Sequence, residues 1–208
     1  MNDIQKKNEI NIISIILYNM IYYYLILVIT YIFIVIMTFG VWKFNISKLD
    51  LKKNLIVIGI ETCLADSIIL TRTTLLLKGK LNRVFGISKK EAWYLKPFYN
   101  NLIFVDRNKR LNQVKKIVKR ITQLSEPFML FIFPEGTRKK VDKWKTGFHY
   151  IAQQTNSDIC IIGIDHKNHV VNLDKIFTPS EKYEKNIKFM KKRLRKYPLA
   201  VPKYSNLD

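Results

Sequence analysis

A carboxylate, a hydroxyl and a guanidinium stand close together in Phe133-Pro134-Glu135-Gly136-Thr137-Arg138. The run before them, Pro127-Phe128-Met129-Leu130-Phe131-Ile132, is almost wholly apolar and reads as a buried strand. Proline and glycine stop that strand, so the three polar groups are presented at its carboxyl end. Ligands of open α/β sheets bind at that end of the strands, and the planar fork of Arg138 suits a phosphate. An ordinary strand exit with a solvated salt bridge satisfies the same pattern.

Two further blocks accompany the hexapeptide. Leu102-Ile103-Phe104-Val105-Asp106-Arg107 is an apolar strand ending in Asp-Arg, and Lys143-Trp144-Lys145-Thr146-Gly147-Phe148 follows the hexapeptide. Together the three resemble the motifs of the glycerol-phosphate and lysophosphatidate acyltransferase family, in its compact branch. The resemblance covers roughly residues 54–165.

What it implies is transfer of an acyl chain from acyl-CoA or acyl carrier protein to a glycerol hydroxyl. No cofactor is implied beyond that co-substrate, and no metal. The chemistry needs a base for the hydroxyl proton, donors for the carbonyl oxyanion and cations for the acceptor's phosphate. In the family a His-x-x-x-x-Asp motif supplies the base and the Asp that orients it. Here Asp66 matches the Asp, and Glu61 stands where the His belongs. Glu61 and Asp66 are therefore the implied catalytic pair, two carboxylates whose mutual repulsion should raise the pKa of one. Arg107, Glu135, Gly136, Thr137 and Arg138 are the implied substrate-binding residues, and Lys89 and Lys90 lie where the compact branch is also basic. No histidine precedes His149. His149 falls in a helix and reads as structural; His166 and His169 fall in a turn and receive no role.

Those residues need a scaffold. The segment 54–60 reads as a first strand, followed by a helix ending near residue 77, a short helix over 89–96 and a second strand over 102–105. Residues 109–124 place Leu111, Val114, Ile117, Val118, Ile121 and Leu124 on one face of a helix. After the 127–132 strand come a helix over 145–155, a strand over 159–164 and a short edge strand at 170–173. Thr178-Pro179-Ser180-Glu181 reads as a helix start, with Thr178 capping a helix that runs to about residue 197. That helix has an apolar stripe and a basic face, so it suits either a membrane surface or docking on the sheet. Residues 198–208 read as a loose tail. Strands alternating with helices predict an α/β domain with a mostly parallel sheet flanked by helices.

Residues 10–42 carry no charge and are dense in Ile, Leu, Val, Tyr and Phe. This N-terminal hydrophobic membrane segment is long enough for one tilted span or for two short re-entrant helices turning near Asn19. Lys43, Lys48, Lys52 and Lys53 follow it, against Lys6 and Lys7 before it, which favours a catalytic part on the cytoplasmic side. The expected division is a membrane segment at 1–45 and an acyltransferase-like domain at 46–208.

The chain of 208 residues has a formal charge of +20. Such a balance favours anionic partners, meaning nucleic acid, anionic lipid or phosphorylated substrates; the resemblance implies membrane lipid, a lysophospholipid or glycerol-phosphate acceptor, and an acyl donor. Nucleic acid is disfavoured, because the aromatics gather in the apolar segment rather than among the basic runs. Cys63 and Cys160 provide no disulfide framework. Two function classes remain open: a membrane-associated acyltransferase of phospholipid biosynthesis, or a catalytically impaired relative that binds lysolipid or membrane as a scaffold.

Overall fold

The computed structural model describes residues 3–38, 40–46, 53–78, 84–88, 101–104, 113–124 and 127–207. Arg107, Lys89, Lys90 and the helix expected over 89–96 lie outside them. The chain divides into two compact units, Met1–Phe39 and Gly40–Asp208.

The first unit is one continuous helix, α1 (Asp3–Thr38), with no turn at Asn19. Apolar side chains lie all round it and remain exposed, among them Ile12, Ile16, Leu25, Ile29 and Phe33. Within it, Ile12–Phe33 has a mean hydropathy of 2.2. Its 22 residues extend about 33 Å at 1.5 Å per residue, enough to cross a bilayer core.

The second unit is built on a seven-stranded sheet. Its strands are β1 (Lys43–Asn45), β2 (Leu55–Ile58), β3 (Val84–Ser88), β4 (Asn101–Phe104), β5 (Met129–Ile132), β6 (Asp158–Asp165) and β7 (Val170–Phe177). They lie in the order β1-β7-β6-β2-β5-β3-β4. The five from β6 to β4 are mutually parallel; β7 is antiparallel to β6, and β1 is parallel to β7. The sequence placed Lys43–Asn45 in the N-terminal segment, yet they form β1 of this sheet.

The central strands are buried on both faces, which is why they read as unbroken apolar runs. Alternation divides them between two cores. Ile56, Ile58, Leu130, Ile159 and Ile161 face α3 (Gln113–Thr122), α4 (Gly147–Gln154) and α5 (Tyr183–Leu194). Leu55, Val57, Met129, Phe131, Cys160 and Ile162 face α2 (Leu64–Lys78), which contributes Ile69, Leu70 and Leu77. Asn54 anchors the start of β2: its side chain donates to Thr155 O and accepts from Phe128 N–H.

Three expectations are corrected and one open choice, the third below, is decided. First, β7 is eight residues long and paired on both sides, so it is not an edge strand. Second, α5 begins at Tyr183, and Thr178 caps nothing; its hydroxyl donates to Asp158 Oδ1 at 2.7 Å. Third, α5 is docked on the sheet: Met190 and Leu194 are buried in the first core, and Phe189 packs edge-on against Phe177 at 4.9 Å. The close approach of Tyr197 requires Gly163, because a Cβ there would meet the tyrosine ring at 2.2 Å. Fourth, the tail is ordered. Ser205, Asn206 and Leu207 are buried, and Arg195 Nε donates to Leu207 O at 2.5 Å.

Candidate active site

Strands β5, β2 and β6 are neighbours and run the same way. The three loops leaving their carboxyl ends therefore converge. The loop after β2 carries Glu61 and leads to Asp66 in the first turn of α2. The one after β5 is the 133–138 hexapeptide, and the one after β6 carries His166.

The hexapeptide opens with a turn in which Gly136 N–H donates to Phe133 O at 3.0 Å. Pro134 presets one of the turn's inner positions. Gly136 has φ +66, the left-handed region that favours glycine, and the Lys145 side chain passes directly over it. Lys145 N–H also donates to Pro134 O at 2.8 Å, so the 143–148 block pins the hexapeptide. Thr137 is half-buried and its hydroxyl accepts from Lys139 N–H at 3.4 Å.

Glu135 is buried rather than presented at the surface. Its Oε1 accepts from Asn206 N–H at 2.7 Å. Its Oε2 and the Trp144 indole N–H are both buried without a hydrogen bond among the described residues. Burial pushes this carboxyl up, against the lowering effect of the Asn206 N–H, the nearby indole and the Lys191 ammonium. Asn206 also donates to Val141 O and Asp142 O and accepts from Lys191 Nζ at 2.6 Å. The tail is thus threaded under the hexapeptide, which local sequence gives no sign of.

Glu61 and Arg138 meet. Arg138 Nε donates to Glu61 Oε1 at 2.8 Å, and Arg138 donates from its terminal nitrogen to Ser67 Oγ at 3.0 Å. Ser67 Oγ in turn donates to Glu61. The guanidinium is nearly half exposed, with a side-chain accessibility of 47%, and so can still reach a ligand.

Asp66 has other partners. Its Oδ2 accepts from Thr62 N–H at 2.6 Å, Thr62 Oγ1 at 3.1 Å and Cys63 N–H at 3.0 Å. The backbone bonds close the free N–H groups that precede α2. Its Oδ1 lies 2.5 Å from His166 Nε2. Burial raises the pKa of Asp66, but the bonds from His166, Thr62 and Cys63 outweigh it and hold the carboxyl below its ordinary value. Asp66 is therefore not a carboxyl raised by repulsion from Glu61: the two take separate partners.

The other histidines stand apart from this group. His149 is buried, with Nε2 at 2.9 Å from Ser180 O and its ring edge-on to Tyr183, a structural position. His169 is exposed, in a left-handed turn with φ 53. Sequence reasoning missed His166 because the Asp66 partner is 100 residues away. The available signal was a histidine directly after a buried strand, informative only once β6 is known to lie beside β2.

Cys63, Asp66 and His166 offer donor atoms within 4.8 Å of one another, the one such cluster among the described residues. Two features oppose a metal. Ligands of one zinc ion at about 2.0–2.1 Å in tetrahedral array stand roughly 3.3 Å apart, wider than the Asp66–His166 contact. Burial and the Asp66 charge also push the Cys63 thiol up, away from the thiolate a metal needs.

A mostly parallel sheet thus presents a carboxylate–imidazole pair and an exposed guanidinium on loops that leave the carboxyl ends of adjacent strands, the usual ligand-binding position of an α/β fold. A family model described as Acyltransferase matches residues 41–167, and the chain belongs to that family. Its fold is similar to the crystal structure of the 1-acyl-sn-glycerophosphate (LPA) acyltransferase PlsC from Thermotoga maritima. That likeness has a TM-score of 0.50 at 16% identity, covering 74% of this chain and 70% of that one. No curated protein sequence matches the chain.

Proposed function

We propose that the protein is a membrane-associated acyltransferase of phospholipid biosynthesis. It moves an acyl chain from acyl-CoA or acyl carrier protein to the hydroxyl of a lysophospholipid or glycerol-phosphate. The single observation that carries this reading is the bonding of Arg138 to Glu61 and Ser67. It joins the hexapeptide loop to the loop of the incomplete His-x-x-x-x-Asp motif in one site. Membership of the acyltransferase family supplies no acceptor by itself; the exposed fork of Arg138 favours one bearing a phosphate. Helix α1 supports a membrane anchor, and the +20 charge supports attraction to anionic lipid.

The scaffold reading gains less support, because the Asp of the motif is buried, ionised and bonded to an imidazole. The test is acyl transfer in purified membranes, with a panel of lysolipid and glycerol-phosphate acceptors and both thioester donors. Arg138→Ala should lower the apparent affinity for a phosphate-bearing acceptor about tenfold or more, since charge-assisted bonds contribute roughly 1.5–3 kcal/mol. Lys115→Ala, on the exposed side of α3, should leave it unchanged. Equal small losses at both positions would reduce the site to general electrostatics.

A further inference from the structure

We propose that His166, oriented by Asp66, is the general base of acyl transfer, its Nδ1 receiving the proton of the acceptor hydroxyl. The inference rests on the acyltransferase reading and deepens it: the imidazole missing from the Glu61 position is supplied by a different strand.

Strand order makes this possible. Ile58, the last residue of β2, pairs with Ile161, and β6 continues past that pair to Asp165. The residue after β6 is thereby carried over the loop that follows β2 and onto the first turn of α2. His166 is held there from several sides. Its N–H donates to Pro198 O at 2.9 Å, and the Trp42 ring packs edge-on against it at 5.2 Å. Asp165 closes the turn beneath it, accepting from Asn168 N–H at 2.9 Å and from Asn168 Nδ2 at 2.8 Å.

The tautomer follows from the partner. An ionised carboxylate only accepts, so the proton between Asp66 Oδ1 and His166 Nε2 belongs to the imidazole. In the neutral ring the lone pair is then on Nδ1, which has no hydrogen-bond partner among the described residues. The side chain keeps 17% of its surface accessible while Asp66 keeps 3%, the arrangement of a reactive ring backed by a buried orienting anion. Glu61 is poorly placed for the task, since its Oε1 is already bonded to both Arg138 and Ser67. The dyad lies beside the phosphate-binding group, because Asp66 and Ser67 are consecutive and Ser67 contacts Arg138.

The step balances with a thioester as co-reactant. The acceptor hydroxyl oxygen bonds to the thioester carbonyl carbon while His166 Nδ1 takes the hydroxyl proton. Asp66 stabilises the resulting imidazolium. The tetrahedral intermediate expels the sulfur by breaking the C–S bond, and the imidazolium returns its proton to that sulfur. Ester and free thiol leave, and His166 is neutral again.

The experiment is single-turnover acyl transfer by the full chain in nanodiscs, with wild type, His166→Gln, His166→Gly, His169→Asn and Glu61→Gln compared. Acceptor binding is measured in parallel. His166→Gln should lose about 10²–10⁴-fold in rate, the usual worth of a positioned base, with acceptor affinity kept within about threefold. Added imidazole should restore part of the rate to His166→Gly, which a merely structural role would not permit. His169→Asn should leave the rate unchanged. An active wild type whose rate survives His166→Gln, with the loss appearing in Glu61→Gln, would overturn the inference while the acyltransferase reading stands. A His166→Gly protein that binds acceptor normally yet gains nothing from imidazole would also count against it. No transfer by wild type to any acceptor would overturn the acyltransferase reading itself, and His166 as a base with it.

Discussion

Asp66 and Glu135 are two carboxylates of one site region, each only 2% exposed, whose pKa values move in opposite directions. Both pay the same desolvation cost in kind, so burial does not separate them. The number of donors does. Asp66 is met by Thr62 N–H, Thr62 Oγ1, Cys63 N–H and the His166 ring. Glu135 receives one bond from Asn206 N–H and leaves Oε2 without any among the described residues. The first environment keeps an anion ready beside an imidazole. The second makes ionisation harder for a carboxyl that holds the tail under the hexapeptide loop. The same functional group thus holds an imidazole in one place, where we propose catalysis, and anchors the tail in the other.

The largest effect that would test this contrast is at Asp66. Asp66→Asn can turn its carbonyl to the Thr62 and Cys63 N–H groups and its amide to the ring, forcing the proton onto His166 Nδ1. Transfer should fall by about 10²–10⁴-fold with the fold retained. Stability carries its own sign. The folded pKa is lowered, so the Asp66 contribution is present at neutral pH and lost as pH falls through the folded value, below about pH 4. The melting difference between wild type and Asp66→Asn should therefore be widest at neutral pH and close in acid. A difference independent of pH would mean the carboxylate charge contributes nothing there.

Next comes the tail. Asn206→Ala keeps the N–H to Glu135 but removes the side-chain bonds to Val141 O, Asp142 O and Lys191. Val141 is half-buried and Asp142 exposed, so water replaces part of what is lost; at about 0.5–1.5 kcal/mol per net hydrogen bond, unfolding should move to lower denaturant. Transfer per folded molecule should change little, and a loss matching that of Asp66→Asn would erase the distinction between the two regions.

The smallest effect is at Glu135 itself. Its raised pKa stabilises the fold below the ordinary carboxylate value and loses that stabilisation as pH rises through the folded one. Glu135→Gln preserves an acceptor for Asn206 N–H and cannot ionise. Its stability relative to wild type should improve as pH rises through the carboxylate range. A relative loss on that rise would show that the ionised carboxylate is what the site prefers.

Much of this molecule is legible in its sequence, for a physical reason. Strands buried on both faces must be apolar throughout, so β2, β5 and β6 stand out, each within a residue or two of its observed bounds. The one-sided apolar spacing of α3 likewise marks a helix with one packed face. The hexapeptide turn follows from its proline and glycine. Asp66 was readable through its resemblance to the Asp of the His-x-x-x-x-Asp motif, a short stretch of sequence, and its contacts at the opening of α2 are equally local.

What the tertiary structure decided are pairings across the chain. β3 (Val84–Ser88) has few sequence marks of a strand and exists by pairing with β4 and β5. The choice between membrane surface and sheet for α5 needed Gly163, whose missing side chain admits Tyr197, and Asp174, which accepts from Tyr197 Oη at 2.9 Å. The tail looked loose because its partners, Glu135 and Thr62, lie far back in the chain. His166 is the sharpest case. Its spacing to Asp66 carries no local period, and only the placing of β6 directly beside β2, with β6 running on beyond it, brings imidazole and carboxylate together. Periodicity and turn chemistry are local forces and are written in short stretches of sequence. The order of strands is fixed by the burial of all the faces at once, and the partner of Asp66 depends on that order.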